Sequence, residues 1–394
     1  MARKRVLCFA SYFLPGFRAG GPIRSLQRII ETLSQDFDFG VVTRDRDQGA
    51  TGPYSSLDRQ RWTSVEGIRV WYLRLPYWSP IGLRRAISEF KPDLLYFHSF
   101  WDPAVVAMPL LLRRLSLIPS QLPVLVAPRG EFAPEALALK GNLKAVWLTI
   151  VRISGLYRGI SWHASTNYEA DQVRAQWGEN ARIMIAPDLP PRVTASAAPA
   201  RRTKIQGSLR IVFLSRVAPM KNLDGALRIL SQVRTPMSLD IFGTRESEEY
   251  WSVCEKRAKR LPPLVTVTFH GPVAPDMVLA TMASYDLFFL PTLGENFGHV
   301  ILEAMLSGCP VLISDRTPWR QLQERTAGYA LALERPESFV AALEQFAAMD
   351  NQEFRQWSQG AAKYAHAYCE DPRWRNQARG VLNALLDKSD VDDK

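Results

Sequence analysis

The sequence predicts an α/β protein built from two doubly wound parallel-sheet domains in series, and three observations carry that expectation. Its 394 residues exceed what one hydrophobic core organises, while 47% apolar and 22% charged residues describe an ordinary globular chain. Short apolar runs alternate with amphipathic segments, which is the rhythm of β-α-β units. That rhythm breaks over the proline-rich, basic stretch "PDLPPRVTASAAPARRTKIQG" (187–207) and then restarts. The first domain is therefore set at 1–190, the linker at 191–207 and the second domain at 208–371. A carboxy-terminal helix at about 372–388 is expected to pack back on the first domain.

Taken in order, "RVLCFA" is the first strand and 23–34 its helix. The strands "FGVVT", "IRVWYL" and "DLLYF" follow, then a helix over 103–116, the strand "PVLVA" and helical text over 135–157. The opening "MARKRVLCFASYFLPG" is basic and then apolar, as a secretory signal is. A Gly-rich turn follows it in place of a small-x-small cleavage site, so it reads as a buried strand. In the second domain "LRIVFL", "SLDIF", "LVTVTF", "DLFFLP" and "PVLIS" are strands, each followed by helical text. No apolar run approaches the ~20 residues of a spanning helix, because "AVVAMPLLL" (104–112) ends at Arg113 and Arg114. Cys8, Cys254, Cys309 and Cys369 form no CxxC pair and lie in apolar text, which suits a reducing cytoplasm.

Charge is uneven. Residues 1–200 hold 25 Lys/Arg against 16 Asp/Glu, and residues 201–394 hold 24 against 23. The bland reading is a solvated basic face; the sharper one is an anionic partner, either membrane headgroups or a phosphorylated acceptor. Nucleic acid is disfavoured, since the cations are scattered and no DNA- or RNA-binding motif appears.

Four stretches carry the candidate chemistry. In "PTLGENFGHVILEAMLSGCPVLISD" (291–315), Glu295 lies in the exit loop of a strand and Glu303 near the second turn of the helix that follows. The N–H groups of Phe297, Gly298 and His299 lack intrahelical partners there, so an anion or a polyol fits. Glu303, among Leu302, Ala304 and Met305, needs donors, and two ribose hydroxyls supply them. The alternative is that Glu295 caps the helix and Glu303 pairs with a neighbouring Arg. In "IVFLSRVAPMKNLDGAL" (211–227), Arg216 and Lys221 follow a strand end as an anion clamp, or else are two solvated loop cations. "SYFLPGFRAGGPIRSL" supplies a glycine turn (Gly16, Gly20, Gly21) that is neither GxGxxG nor a Walker loop, so what remains is a close backbone approach to a ligand. In "PDLLYFHSFWDP", His98 stands at a strand's carboxyl end, where sites of such sheets form. "RDRD" (44–47) looks like a metal-binding DxD but reads as solvated turn chemistry between arginines. The five histidines show no ligand spacing, so no metal is expected.

These residues resemble the retaining glycosyltransferases of family four, which have the GT-B fold of two Rossmann-like domains with an interdomain cleft. The resemblance rests on "SRVAPMKN", "FHG" (269–271) and above all "PTLGENFGHVILEAMLSGCPV", and is strongest from 209 to 331. It implies that Arg216 and Lys221 hold the donor diphosphate, and that Glu295 with Asn296, Phe297, Gly298 and His299 holds the donor sugar. Glu303 would take the ribose hydroxyls, and the backbone at His270 and Gly271 the base. Gly20 and Gly21 look like the family's glycine turn near the phosphates, and His98 like its cleft histidine. The implied catalytic set is His98, Glu295, Arg216 and Lys221. One departure is "PRGEF" where the family often has His-Gly, so Arg129 and Glu131, with Trp101, are assigned to the acceptor.

The resemblance further implies a UDP- or GDP-hexose donor and a saccharide or polyprenyl-diphosphate-linked acceptor, in surface polysaccharide or lipopolysaccharide biosynthesis. The nucleotide-sugar is a substrate, so no cofactor is expected. Breaking a sugar–phosphate bond puts negative charge on the leaving diphosphate, which the two cations stabilise. A retaining enzyme of this fold needs no glycosidase-type carboxylate pair. The other readings are a nucleotide-sugar epimerase of the same fold and a non-catalytic nucleotide-sugar binder. Finally, "LKGNLKAVWLTIVRISGLYRGISW" (139–162) interleaves Lys140, Lys144, Arg152 and Arg158 with apolar residues. It reads as a core helix by its apolar face, and by its cations as peripheral attachment at the inner face of the cytoplasmic membrane.

Overall fold

The computed structural model of the protein describes residues 3–55, 57–74, 80–138, 141–192 and 202–387; Lys140 and linker residues 193–201 lie outside them. The chain forms two compact units, residues 1–189 with 372–394, and residues 190–371.

The first unit is one sheet of eight strands: β1 Arg5–Phe9, β2 Asp38–Arg44, β3 Trp62–Val65, β4 Ile68–Leu73, β5 Leu94–Phe97, β6 Val124–Val126, β7 Ser161–Ala164 and β8 Ile183–Ile185. Their order is β3-β4-β2-β1-β5-β6-β7-β8, parallel throughout except for β3. Strands covered on both faces read as unbroken apolar runs. In β1, Val6 and Cys8 enter one core with the helices Gly21–Leu33 and Pro372–Leu386, while Leu7 and Phe9 enter the other with Pro80–Phe90 and Met108–Arg114. Phe9 stacks on Phe97 of β5 with ring centroids 4.7 Å apart.

Three strands here escape the sequence reading, for physical reasons. The edge strand β3 is antiparallel, made by a hairpin at Glu66 and Gly67, both at positive φ. β7 and β8 are four and three residues long, too short to carry a period. The segment expected to be helical over 135–157 contains the helices Pro134–Ala138 and Gly141–Ile153. A further correction concerns "RDRD". Asp45 and Asp47 are buried, because the Asp47 carboxylate accepts from the N–H groups of Phe17 and Arg18 at 3.0 and 3.2 Å and so pins the glycine turn after β1. Asp45 faces Arg46 and Arg59.

The second unit is a parallel sheet of six strands: β9 Leu209–Leu214, β10 Met237–Phe242, β11 Val265–Gly271, β12 Leu287–Leu290, β13 Val311–Ser314 and β14 Gly328–Leu331, ordered β11-β10-β9-β12-β13-β14. β14 also escapes the sequence reading, since "GYAL" is short and opens on glycine. Residues 202–207 are held by this unit: the Lys204 ammonium donates to the carbonyls of Ile205, Ser208 and Ala347 at 2.7, 2.6 and 3.3 Å. Among the parallel strands of each sheet the order reverses once, between β1 and β5 and between β9 and β12. Ligands of open α/β sheets bind at the carboxyl ends of the strands beside that reversal.

Candidate functional site

In the second unit the reversal brings together the loops after β9 and β12. Asn222 joins them. Its backbone is left-handed (φ 56°), its side-chain oxygen caps the next helix through Gly225 N–H at 3.2 Å, and its amide donates to the Pro291 carbonyl at 2.8 Å. Leu293 N–H and the Thr292 hydroxyl both donate to the Met220 carbonyl, at 2.8 and 3.0 Å. On this frame the Lys221 ammonium donates to the Glu295 carboxylate, and the two side chains are only 15% and 10% exposed. Arg216, five residues earlier, is far more open and pairs with Glu246 at 2.9 Å. The two cations therefore differ: one is a mostly buried pair, the other a surface ion pair of small intrinsic worth that a ligand readily replaces.

The helix after β12 starts two residues later than the sequence reading places it, at His299, with Gly298 left-handed (φ 77°) as its N-cap. Phe297 consequently stands outside the helix as a core residue. Its ring lies 5.5 Å from Trp319, and its carbonyl accepts from the Trp319 indole at 2.6 Å. A Cβ on residue 298 would come within 2.7 Å of Ile301 Cδ1. Asn296 and Glu303 are partly exposed, and Glu303 lies on the second turn. At the far end of β11, His270 pairs with Asp240 at 2.6 Å and stacks on Phe242 at 4.6 Å, while the Gly271 carbonyl accepts from Gly243 N–H at 2.8 Å.

In the first unit the reversal lies between the glycine turn after β1 and the loop after β5. Gly20 has φ 68° and Gly21 opens the helix, with nothing within 4 Å of a Cβ built on either. His98 follows β5, with its N–H on the Phe9 carbonyl at 2.8 Å; its side chain is buried and its Nε2 has no partner among the described residues. Burial, then the Arg129 charge, then His163 hold its pKa well below the ordinary 6.5. Arg129 and Glu131 are engaged within the unit. The Arg129 guanidinium pairs with Asp188, both side chains 6% exposed, and donates to Tyr96 Oη at 3.2 Å. The Glu131 carboxylate accepts from the Ser99 hydroxyl and Phe100 N–H at 2.8 and 2.5 Å. Trp101 rests against this loop, donating to the Glu131 carbonyl at 3.4 Å, with the Lys144 ammonium 5.2 Å over its ring. No cluster of three or more His, Cys, Asp or Glu suited to a metal ion occurs among the described residues.

Residues 197–364 match the family described as glycosyl transferases group 1. The match lies within the second unit, residues 190–371. Two D-inositol 3-phosphate glycosyltransferases are similar to the chain. That of Rhodococcus erythropolis is 26% identical over 196 residues, 45% of this chain and 41% of the relative. That of Streptomyces griseus is 27% identical over 183 residues, 44% and 38%. The chain thus spans about two fifths of the length of these relatives. Among solved structures, Anabaena Alr3699/HepE in complex with UDP and glucose superposes with a TM-score of 0.70 at 16% identity, covering 97% of this chain and 100% of that one. WaaG, a glycosyltransferase involved in lipopolysaccharide biosynthesis, gives 0.64 at 15%, covering 96% and 99%. The fold is GT-B, two Rossmann-like units, as the motifs led one to expect.

In the fold, the residues that sequence reasoning overlooks become visible as partners of those it finds. Asp188 lies at the edge of the stretch that breaks the β-α-β rhythm, yet it also closely follows β8, and a carboxylate at a strand's carboxyl end is the signal that marks it. Tyr96, Ser25 and Glu169 read as ordinary strand and helix residues. Glu131 offers a test of this interior. Burial pushes its pKa from 4.5 up to about 7, against the hydrogen bonds from Phe100 and Ser99. The folded value lies above the unfolded one, so this group's contribution is fully present below pH 4.5 and is lost as pH rises through about 7. Glu131→Gln should therefore flatten the fall in melting temperature between pH 4.5 and 7; an unchanged slope would show that Glu131 ionises freely in the fold.

Proposed function

We propose that the protein is a retaining, metal-independent glycosyltransferase that moves a hexose from a UDP- or GDP-sugar to a saccharide or lipid-linked glycan. The observation that carries this reading is the Lys221–Glu295 pair at the β9/β12 reversal, with Arg216 on the same loop. A nucleoside diphosphate satisfies both cations: the guanidinium fork grips phosphate oxygens and the ammonium adds a point charge, so the leaving group's charge is met without a metal. Lys221 turning to a phosphate releases Glu295 to accept from sugar hydroxyls. HepE superposes in its complexes with UDP and glucose and with UDP-glucose, which supports a uridine donor for this chain.

A panel of UDP-, GDP- and ADP-hexoses tests it. The matching nucleoside diphosphate at about a hundredfold over its Kd should add about 2.7 kcal/mol of stability, Arg216→Ala should lose that gain, and transfer should persist in EDTA. If no nucleoside diphosphate raises the melting temperature, the donor site is misassigned. Isomerisation of the sugar without acceptor would favour the epimerase.

The acceptor side of the reading is a lipid-linked saccharide met at an anionic membrane surface. No helix among the described residues is long and apolar enough to cross a membrane. The core reading of 139–162 holds for Tyr157, Ile160 and Trp162, but in the helix Gly141–Ile153 only Leu148 and Val151 are buried, and that helix is the support instead. Leu143, Val146, Ile150 and Ile153, at helical spacing, are 70%, 59%, 53% and 83% exposed. Between residues 103 and 168 the chain has, besides the buried Arg129, six Lys/Arg against two Glu. An apolar stripe on a basic helix suits the interface of an anionic bilayer, where each nearby cation contributes ~1 kcal/mol. The protein should sediment with anionic liposomes at low salt and be released at high salt, and Leu143→Glu with Ile150→Glu should abolish sedimentation. Equal binding to neutral vesicles, or none to anionic ones, would remove the membrane from this reading.

A further inference from the structure

The loop after β6 carries Arg129 and Gly130 in left-handed backbone, φ 53° and 80°. That conformation is held from the neighbouring helix: the fully buried Glu169 accepts from Gly130 N–H at 2.6 Å and from the N–H and hydroxyl of Ser165, both at 2.7 Å. The consequence is the placement of the guanidinium. One Nη is tied to Asp188, whose other oxygen accepts from Ser25 of the first helix at 2.9 Å. The other Nη faces two acceptors, Tyr96 Oη at 3.2 Å and His98 Nδ1 at 3.4 Å.

Because a guanidinium has only N–H donors, these contacts assign every neighbouring proton. Tyr96 Oη accepts from Arg129, so its own O–H turns to His163 Nδ1. His163 must then carry its proton on Nε2, which is directed at the Ala186 carbonyl at 2.8 Å. The same rule applied to His98 requires an unprotonated Nδ1 and puts the hydrogen on Nε2, the buried atom that finds no acceptor among the described residues. A buried N–H without an acceptor is expensive, and the loop geometry makes it so by construction. The ring cannot escape by flipping, since it packs on Tyr96 with centroids 4.1 Å apart and a flip leaves Arg129 facing carbon.

We propose that Arg129 is a positioning residue that locks His98 in the Nε2–H tautomer, making His98 a donor to a ligand oxygen and not a proton acceptor. The inference rests on the glycosyltransferase reading only for the identity of that ligand, a sugar hydroxyl or a phosphate oxygen. It also gives the Arg-Gly pair a role inside the unit: the arginine sets the histidine's tautomer while its charge, with burial, keeps the ring neutral. The charged groups around the ring, Arg129, Asp188 and Glu169, with Tyr96 and His163, all lie in this one network.

The test is nitrogen NMR on the full chain with labelled histidine, the His98 signal being assigned by its loss in His98→Gln. From pH 6 to 8 His98 and His163 should both appear as pure neutral Nε2–H tautomers. In the double variant Arg129→Gln with Asp188→Asn, which strands no charge, the His98 signal should move towards a tautomer average while His163 reports whether the unit is intact. A wild-type His98 that is protonated, Nδ1–H or already averaged overturns the proposal, as does an unmoved signal in a folded double variant. Turnover gives a separate reading: His98→Gln, which keeps an N–H donor, should exceed His98→Met by about tenfold, the worth of one hydrogen bond. Equal loss in both would mark His98 as a proton acceptor. Failure of transfer in every variant and in wild type would overturn the function and leave the tautomer result standing.

Discussion

Lys221→Ala should lower turnover by about a hundredfold or more and destabilise the protein at the same time. Both effects come from one contact, the Lys221–Glu295 pair, whose side chains are 15% and 10% exposed. Deleting the lysine leaves the Glu295 carboxylate largely desolvated, because the Thr292 hydroxyl 3.4 Å away already gives its one hydrogen to the Met220 carbonyl. Stranding one member of a buried pair costs about 3–5 kcal/mol when it is fully enclosed, and somewhat less here because water reaches the edge. The loss of turnover has a different origin, the missing charge opposite the leaving diphosphate, for which about two to three powers of ten is ordinary. The double variant Lys221→Met with Glu295→Gln separates them. Its melting temperature should return to near the wild-type value, since no charge is left unpaired, while turnover stays low. Turnover within about threefold of wild type in Lys221→Ala would remove the lysine from the chemistry.

This pairing also marks where the sequence stops informing. The loops at 216–221 and 295–303 are legible as anion-binding text because each follows an apolar strand and opens a helix. That Lys221 meets Glu295 is not legible, since it depends on β12 lying beside β9, and "DLFFLP" carries no sign of its neighbour. The same limit explains Arg129. "PRGEF" shows a cation and a carboxylate at a strand end, which reads as a surface for an acceptor. Only the fold reveals Asp188, 59 residues away, taking the arginine inward. The strands buried on both faces are visible for the opposite reason: continuous apolar runs such as "RVLCF" or "LFFL" need no partner to be recognised, whereas "SWHA", "IMI" and "GYAL" do. Asp47 reads as solvated because acids between arginines usually are; in the fold the N–H groups of Phe17 and Arg18 take the place of water.

Gly243→Ala should be among the most damaging single methyl groups in the second unit. Gly243 follows β10 at φ 145°, and its N–H donates to the Gly271 carbonyl at 2.8 Å while the adjacent Phe242 carbonyl accepts from Ser215 N–H at 2.9 Å. The backbones after β9, β10 and β11 are thus stitched side by side just where the sheet delivers Arg216. A Cβ built on residue 243 stands 1.8 Å from the Ser215 carbonyl oxygen and 3.3 Å from Arg216 N. A carbonyl cannot swing aside as a side chain can, so the strand end must move, and Arg216 moves with it. The positive φ adds strain of roughly 1–3 kcal/mol for any residue with a Cβ. Gly207→Ala is the control: it also stands at positive φ, 79°, but nothing lies within 4 Å of its Cβ. Expected, therefore, is a modest fall in melting temperature for Gly207→Ala with nucleoside diphosphate binding kept, against a larger fall for Gly243→Ala with binding weakened at least about tenfold. If calorimetry finds the two variants alike in both measures, the close approach of β10 to the Arg216 loop does not hold the donor site in place.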